Sequence, residues 1–257
     1  MKVLVTGGAG YVASALVPML VDRGHQIWAL DNLSTHQQVP DFSSYNGDCR
    51  FIAGDVRDVA RLSELCPQVD AVVHLAALVG YPICDAKPKE ARRTNLLATQ
   101  NLAAIVGSKT PFVFASTASV YGRVSAPVCD ETHPLEPRSL YSQTKAQAET
   151  HVLDAGGTVL RPVTAFGAAP QFRWDLLLHQ FVQDALRTGR IEVYEGGACR
   201  PLIGVHDIAR SIVLCLDKSD KCRGQVYNVA APELMLTKLQ IAQSVARVTS
   251  AEMLEIN

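Results

Sequence analysis

Three side chains with the chemistry of an acid–base site lie close together in the sequence. Tyr141 and Lys145 are four residues apart at a predicted helix start, so both face the same side of that helix. A nearby ammonium should lower the pKa of the phenol from about 10 toward neutrality. The phenolate could then accept the proton of a substrate hydroxyl, while the Thr117 hydroxyl hydrogen-bonds the same oxygen. Because a Tyr-x-x-x-Lys pair is common by chance, this hypothesis depends on the rest of the chain.

The N-terminus carries a turn suited to phosphate. An apolar run at residues 2–5 leads into Thr-Gly-Gly-Ala-Gly-Tyr-Val-Ala, and apolar residues with helical spacing follow. Gly7 permits a tight turn, Gly10 lets a pyrophosphate approach the backbone, and Ala13 keeps the helix near the sheet. The free N–H groups at the helix start favour negative charge. Taken alone, this Gly-x-x-Gly-x-x-Ala spacing could equally be an ordinary strand–helix turn.

The position of Asp31 favours a dinucleotide as the ligand of this turn. It ends a second apolar run, at residues 26–30, about 20 residues beyond the glycines. At that spacing a carboxylate accepts hydrogen bonds from an adenosine ribose and repels a 2′-phosphate, which favours NAD over NADP. The positive nicotinamide of oxidised NAD would add to the effect of Lys145 on the phenol.

Other strand ends supply further cofactor candidates. Asp55 is placed to bind an adenine amino group or merely to form a turn, and Asp58 could cap the next helix. The small residues Ala76 and Ala77, which follow Leu75 at the strand end, would let a flat cofactor approach, whereas His74 is interpreted as a buried structural histidine. The candidate cofactor-binding residues are Gly7, Gly10, Tyr11, Val12, Asp31, Asn32, Leu33, Ser34, Asp55, Val56, Leu75, Ala76, Ala77, Asn95, Tyr141 and Lys145.

Alternating strand and helix patterns predict an α/β fold, a Rossmann-type doubly wound parallel sheet with a small C-terminal substrate lobe. We predict strands near 2–6, 26–30, 50–53, 71–75, 111–115 and 157–160, helices near 12–23, 58–66, 89–107 and 139–154, and a loop at 32–49. Later we predict helices at 175–188 and 206–217, strands at 191–194 and 225–229, and a last helix capped by Thr237. Residues 1–165 would form the NAD-binding domain, with 200–217 packing back on it, and 166–257 the lobe.

Composition excludes several classes of function. The 257 residues are 48% hydrophobic and 19% charged, with a net charge of −1, which gives no argument for nucleic acid or an anionic membrane. The seven scattered cysteines form no Cys-x-x-Cys pair, so we expect reduced thiols and no metal site. No window has the roughly 18 apolar residues of a membrane helix, and glycines interrupt the N-terminal run as no signal peptide would. A cytoplasmic protein is expected.

The order of these motifs resembles an extended short-chain dehydrogenase/reductase, and within that group a nucleotide-sugar epimerase/dehydratase. The matching stretches are 6–13, 31–34, 54–58, 74–77, 94–95, 116–122, 141–145, 160–167, 200–208 and 227–229. The resemblance implies that Thr117, Tyr141 and Lys145 are the catalytic set and that Asn95 helps to structure the site. It also implies that Arg200 meets a substrate phosphate, which a guanidinium fork suits, although Arg200 could equally edge a surface strand.

Two positions depart from the family pattern. Dehydratases of this group place Asp-Glu directly after the catalytic threonine, whereas this chain has Ala118-Ser119, which disfavours dehydration. Epimerases of the UDP-galactose type carry an asparagine where this chain has Thr164. Thr117, Thr164, Arg173 and Arg200 are the candidate substrate-binding residues, with Trp174 either packing or supporting a ring.

The leading hypothesis is an NAD-dependent epimerase that acts on a nucleotide-activated sugar through a transient keto intermediate. The first alternative is an NAD-dependent oxidoreductase, such as a dehydrogenase, reductase or decarboxylase, on a sugar or other hydroxyl substrate. The second is a non-catalytic NAD-binding protein. The resemblance further implies a homodimer through helices near 89–107 and 139–154, although Leu96, Leu97, Ile105 and Val106 could equally be core.

Overall fold

The computed structural model describes residues 1–35, 40–42, 45, 47–124 and 128–256. Parts of the loop predicted at 32–49 therefore lie outside the described residues. The strands are β1 Lys2–Thr6, β2 Gln26–Asp31, β3 Cys49–Ala53, β4 Ala71–His74, β5 Phe112–Ala115, β6 Thr158–Pro162, β7 Thr164–Phe166, β8 Arg190–Tyr194, β9 Cys199–Gly204, β10 Val226–Val229, β11 Met235–Thr237 and β12 Glu252–Ile256.

Helices connect these strands. They are α1 Tyr11–Val21, α2 Val59–Leu65, α3 Tyr81–Ala86, α4 Pro88–Ala91, α5 Ala98–Val106, α6 Leu140–Asp154, α7 Leu177–Thr188, α8 Val205–Asp217, α9 Ser219–Cys222 and α10 Lys238–Thr249. A π-helical stretch, Arg92–Leu97, joins α4 to α5, and 3₁₀ turns lie at Cys66–Gln68, Ala118–Tyr121 and Pro232–Leu234.

The central sheet has seven parallel strands in the order β10-β6-β5-β4-β1-β2-β3 within the described residues. Its central strands are apolar on both faces because helices cover both. One core lies between the sheet and the packed helices α1 and α8, and the other lies beneath α2, α5 and α6. The predicted doubly wound parallel sheet is confirmed.

The chain after β6 forms two smaller sheets, with strand orders β11-β9-β7 and β12-β8 in the described residues. Their apolar side chains pack with those of α7 and α10. The same part of the chain also returns to the central sheet, where β10 pairs with β6 and α8 packs on α1. The division of the chain at residue 165 remains a prediction.

Several sequence-based boundaries change. The helical stretch predicted near 89–107 is confirmed, since α4, the π-helical stretch and α5 run without a break from 88 to 106, but the π-helical geometry around Asn95 was not predicted. The strands β7, β11 and β12 and the short helices α3 and α9 were not predicted. Short strands of three to five residues carry little periodicity, so pairing with neighbours decides them. Thr237 does cap α10, in a capping box with Gln240.

Candidate active site

The glycine turn after β1 leaves no space for side chains. Gly7 has φ of +71°, and a Cβ on it would lie 2.7 Å from the Ala76 amide nitrogen. A Cβ on Gly8 would lie 2.7 Å from Cα of Ala29. Both glycine N–H groups donate to the Leu30 carbonyl, at 2.9 and 3.1 Å. Gly8 was not predicted to matter, although the Gly-Gly pair in the sequence is the signal that could have identified it.

This turn delivers an uncapped helix N-terminus. Gly10 is the N-cap of α1 and provides no side-chain cap, and the first turn of the helix holds no acidic residue. The first helical bond runs from the Ser14 N–H to the Gly10 carbonyl at 2.9 Å, so the amides of residues 11–13 precede the helical ladder. Free donors together with the helix dipole fit the pyrophosphate of a dinucleotide.

Asp31 links the glycine turn to the end of β2. Its Oδ2 accepts the Ala9 N–H at 3.1 Å, and its Oδ1 accepts the Leu33 N–H at 2.7 Å. Leu33 has φ of +55°, a left-handed conformation that turns the chain back over the carboxylate. These bonds hold a half-buried carboxylate beside the turn, where an adenosine ribose would lie.

Asp55 lies beside this group at the end of β3. One of its oxygens accepts a hydrogen bond from the Asn32 amide at 2.8 Å, and Arg57 binds both oxygens, at 2.8 and 2.6 Å. The bonds from Arg57 hold the pKa of Asp55 well below its usual range. The structure thus joins Asn32 to Asp55, both of which are predicted cofactor residues. Asp58 caps α2 as predicted, accepting the Arg61 N–H at 3.0 Å.

His74 is a buried structural residue, as predicted. Its Nδ1 lies 2.6 Å from the Thr6 hydroxyl and its Nε2 lies 2.9 Å from the Thr99 hydroxyl. Burial and the charge of Lys145 lower its pKa to about 3. His74 is therefore neutral at physiological pH and fixes β4 against β1.

Thr117 and Tyr141 meet beyond the end of β5, and Lys145 lies one turn further along α6. Thr117 caps the 3₁₀ turn at 118–121, and a hydrogen bond joins its side chain to that of Tyr141. Ser139 caps α6 and sets the start of the helix that carries Tyr141 and Lys145. The Lys145 ammonium lies 4.0 Å from the centre of the Phe114 ring, and the residue is 2% exposed.

The predicted lowering of the Tyr141 pKa is wrong for the protein alone. Burial raises the pKa of Tyr141 to about 12, while the charge of Arg173 and the bond from Thr117 lower it. Burial also lowers the pKa of Lys145 to about 7, so this ammonium is only partly charged at neutral pH. The positive side chain that acts on the phenol is thus Arg173, which was predicted only as a substrate contact.

Asn95 shapes the loop after β4 from within the π-helical stretch. Its Oδ1 accepts the Leu78 N–H at 2.8 Å, and its Nδ2 donates to the Leu78 carbonyl at 2.9 Å. The side chain is fully buried and also reaches Thr144 on α6. Asn95 therefore fixes the backbone of Leu78, which directly follows the predicted cofactor residues Leu75, Ala76 and Ala77.

A buried polar network that the sequence did not reveal joins α6 to β6 near the predicted catalytic residue Lys145. Arg161 donates to both oxygens of Glu149, with one contact of 2.6 Å, and to the Tyr121 hydroxyl at 2.7 Å. Ser116 also donates to Glu149, and Tyr121 donates to Asn228 at 2.7 Å. Glu149 is one turn beyond Lys145, and its charge raises the pKa of that lysine. One sequence signal was available: residues four apart share a helix face, so Glu149 lies on the same face of α6 as Tyr141 and Lys145.

The three residues that we predict to contact a phosphate or a sugar lie in two different parts of the structure. Arg173 is bound by Asp175 and its charge reaches Tyr11 and Tyr141. Thr164 lies on β7, opposite Leu202 of β9, and Arg200 lies further along β9. Arg200 donates to the Cys199 carbonyl at 2.9 Å, and its charge acts on Glu195. Among the described residues, no interaction joins Arg200 to Thr117, Tyr141 or Lys145, the predicted catalytic set.

The described residues show neither a metal site nor a membrane span. No group of three His, Cys, Asp or Glu side chains among them could hold a metal ion. The cysteines at 49, 66, 84, 129, 199, 215 and 222 are all free. No helix in this part of the chain is long and apolar enough to cross a membrane.

Comparison with known proteins places residues 3–230 against the profile of the NAD dependent epimerase/dehydratase family. The chain is 33% identical over 247 residues to the low-salt glycan biosynthesis protein Agl12 of Haloferax volcanii, across 90% of this chain and 77% of that protein. It is 30% identical over 258 residues to a UDP-glucose 4-epimerase of Corynebacterium glutamicum (90% and 75%). It is 27% identical over 266 residues to a UDP-N-acetyl-alpha-D-glucosaminuronate decarboxylase of Bacillus cytotoxicus (96% and 80%).

Comparison with solved structures agrees with the sequence comparison. MoeE5 in complex with UDP-glucose and NAD superposes with a TM-score of 0.86 at 29% identity, covering 100% of this chain and 85% of that one.

Proposed function

Because this chain belongs to the NAD-dependent epimerase/dehydratase family, whose members act on sugar nucleotides, we propose that it epimerises a nucleotide-activated sugar through a transient keto intermediate. The observation that carries this proposal is the bonded pair of hydroxyls on Thr117 and Tyr141, with the charge of Arg173 acting on the phenol. No carboxylate follows Thr117, since the next residues are Ala118 and Ser119. The elimination chemistry of a dehydratase therefore lacks its acid and base at these positions.

NAD, when bound, supplies reversible oxidation of the sugar carbon. The uncapped start of α1 would hold its pyrophosphate, Asp31 its ribose, and Asn32 and Asp55 the adenine side. Tyr141 as phenolate would take the proton of the sugar hydroxyl and later return it. Thr117 would hydrogen-bond the same oxygen and keep it directed at Tyr141. Arg173 would favour the phenolate and attract the diphosphate.

Lys145 would act on Thr117 and Tyr141 from the next turn of α6. Its side chain is buried against Phe114, so it is held in one position on the same face of α6 as Tyr141. A pKa near 7 lets the group exchange a proton with the site at neutral pH. Thr164 and Arg200 on the small sheet would contact the remaining nucleotide or sugar.

The test is a panel of UDP-, GDP-, CDP- and dTDP-sugars incubated with purified protein and NAD, without added reductant. The proposal expects inversion at one sugar carbon with no net change in NADH absorbance. Tyr141→Phe should abolish the inversion while NAD still binds. Net production of NADH in proportion to product would replace the proposal with a dehydrogenase.

A decarboxylase is the second candidate, favoured by the similarity to the Bacillus cytotoxicus enzyme. The same keto intermediate would precede loss of CO2 from a uronic acid. Including UDP-glucuronic acid and UDP-N-acetylglucosaminuronic acid in the panel, with CO2 release as the readout, separates this activity from inversion. A non-catalytic NAD-binding protein would show neither, and its biological activity would survive Tyr141→Phe.

We also propose a homodimer through α5 and α6. These helices pack together on the sheet, and Leu97 before α5 is 47% exposed, while Val106 is core. Light scattering of wild type and Leu97→Glu should show a dimer that the charge weakens. A wild-type monomer at micromolar concentration would contradict this proposal.

A further inference from the structure

One histidine ring holds both ends of the segment 167–173, which we call the strap. His179 on α7 has its Nδ1 2.6 Å from the Arg173 carbonyl and its Nε2 3.1 Å from the Gly167 nitrogen. A carbonyl only accepts and an amide N–H only donates, so Nδ1 carries the proton and Nε2 is the acceptor. Both ring nitrogens are thus used by the backbone of one segment.

The ring is enclosed as well as bonded. His179 is 3% exposed and stacks on Phe172 with centroids 4.2 Å apart. Tyr11 packs edge-on against it at 6.0 Å, and Trp174 packs against Phe172 at 4.6 Å. Burial in an aromatic cluster fixes the ring orientation that both hydrogen bonds require.

The other side of the strap is bonded to the cofactor helix. The Tyr11 hydroxyl donates to the Gly167 carbonyl at 2.7 Å, and the Gln171 N–H donates to the Ser14 hydroxyl at 3.1 Å. Tyr11 and Ser14 lie in the first turn of α1, directly after the phosphate-binding glycines. The strap is therefore shared between α7 and the helix that would hold the pyrophosphate.

The strap ends at Arg173. Its carbonyl is the acceptor for His179, and its guanidinium is held by Asp175 and acts on Tyr141. Any shift of the strap would move this charge relative to the phenol.

We propose that His179 is a positioning residue, which through its Nδ1–H tautomer fixes the strap that Tyr11 and Ser14 bond to α1, and so positions Arg173 relative to Tyr141. Binding of NAD at the start of α1 then orders the strap, and the arginine becomes fixed for a nucleotide diphosphate. The second half of this inference rests on the proposed function, because only there does Arg173 meet a sugar nucleotide.

Hydrogen exchange tests the structural half without any substrate. In the wild type, NAD should slow amide exchange both at residues 7–13 and in the strap. His179→Phe keeps the ring volume but loses both hydrogen bonds, and it should remove the NAD effect in the strap while leaving it at 7–13. His179→Asn retains a donor for the Arg173 carbonyl and should restore part of the effect, while His151→Phe on α6 serves as the matched control.

Two results would overturn this half. His179→Phe could show the wild-type response in the strap, or it could lose the response at 7–13 equally, which would indicate general loss of the site. Should His179→Phe not fold, Tyr11→Phe removes the hydroxyl bond to Gly167 and should produce the same selective loss in the strap. A wild-type response there would also overturn the proposal.

Kinetics with a sugar nucleotide test the second half. Arg173→Met and His179→Phe should each raise KM by about tenfold with a smaller change in kcat, and the double variant should resemble Arg173→Met alone. Additive effects would show that His179 does not act through Arg173. If the wild type turns over no sugar nucleotide, the proposed function fails, and the exchange experiment still decides whether His179 positions the strap.

Discussion

The Lys145 ammonium lies 4.0 Å from the centre of the Phe114 ring and is almost fully buried. The ring face attracts the cation, yet burial still lowers the pKa of Lys145 from 10.5 to about 7. Lys145 is thus a proposed catalytic residue that also lowers the free energy of unfolding. This cost applies at pH values below 10.5, the pKa of the lysine in the unfolded chain.

Lys145→Met should change how stability depends on pH. In the unfolded chain the lysine has its ordinary pKa of 10.5, so between pH 7 and 10.5 that chain binds more protons than the native one. Stability contributed by this residue therefore rises with pH in that window. From pH 7 to 8.5, urea unfolding should show wild type gaining about 2 kcal/mol relative to Lys145→Met. Parallel curves for the two proteins would refute this.

Arg173→Met should displace the pH profile of activity. The guanidinium lowers the pKa of Tyr141, so its removal raises that pKa and the phenolate forms at higher pH. The rising limb of kcat/KM should move to higher pH, and kcat/KM at pH 7 should fall about tenfold or more. Arg173→Lys keeps a charge and should shift the limb less. If the rising limb of kcat/KM lies at the same pH in Arg173→Met as in the wild type, the charge of Arg173 does not act on the Tyr141 phenol.

Asp31→Asn should weaken NAD binding by about tenfold, because an amide cannot accept both the Ala9 and Leu33 N–H groups and also a ribose hydroxyl. Loss of the negative charge should also reduce discrimination against NADP. Calorimetric titration with both cofactors measures the two effects. Asp58→Asn, which preserves the cap of α2, is the matched control, and equal behaviour of the two variants would contradict the ribose assignment.

Glu149→Gln should destabilise the fold by about 3–5 kcal/mol, because it leaves the Arg161 guanidinium buried without its counter-charge. Ser116→Ala removes one bond to the same carboxylate and should cost about 1 kcal/mol. Denaturant unfolding of both variants gives the comparison. Similar losses in the free energy of unfolding for Glu149→Gln and Ser116→Ala would show that the Arg161–Glu149 ion pair is not the main stabilising contact of the network.

Sequence patterning predicted the parts of the site that local spacing defines. Gly7, Asp31, Thr117 and Tyr141 each follow or begin an element whose periodicity is clear, and parallel strands bring their carboxyl ends to one edge. The wrong pKa direction for Tyr141 has a physical cause. The sequence places Lys145 near the phenol but does not show that burial would partly discharge this lysine.

Long-range polar contacts could not be predicted. Arg161 and Glu149 pair across two elements, and His179 meets Gly167 and Arg173 only because α7 packs beneath their loop. Nothing in the periodicity of either segment distinguishes these side chains from surface ones. The π-helical stretch at 92–97 holds Asn95, whose side chain bonds to Leu78, and a tertiary contact of this kind leaves no signal in the helical pattern.

The central claim is that bound NAD would oxidise a sugar carbon and return the hydride to the same carbon, while Thr117, Tyr141 and Lys145 handle the proton of its hydroxyl. It is tested most directly with a substrate carrying deuterium at the carbon that inverts and carbon-13 at another sugar carbon, mixed with unlabelled substrate in ordinary water. The account predicts that each inverted molecule keeps its own deuterium and that Tyr141→Phe gives no inversion. Loss of the deuterium to solvent, or inversion by Tyr141→Phe at the wild-type rate, would contradict it.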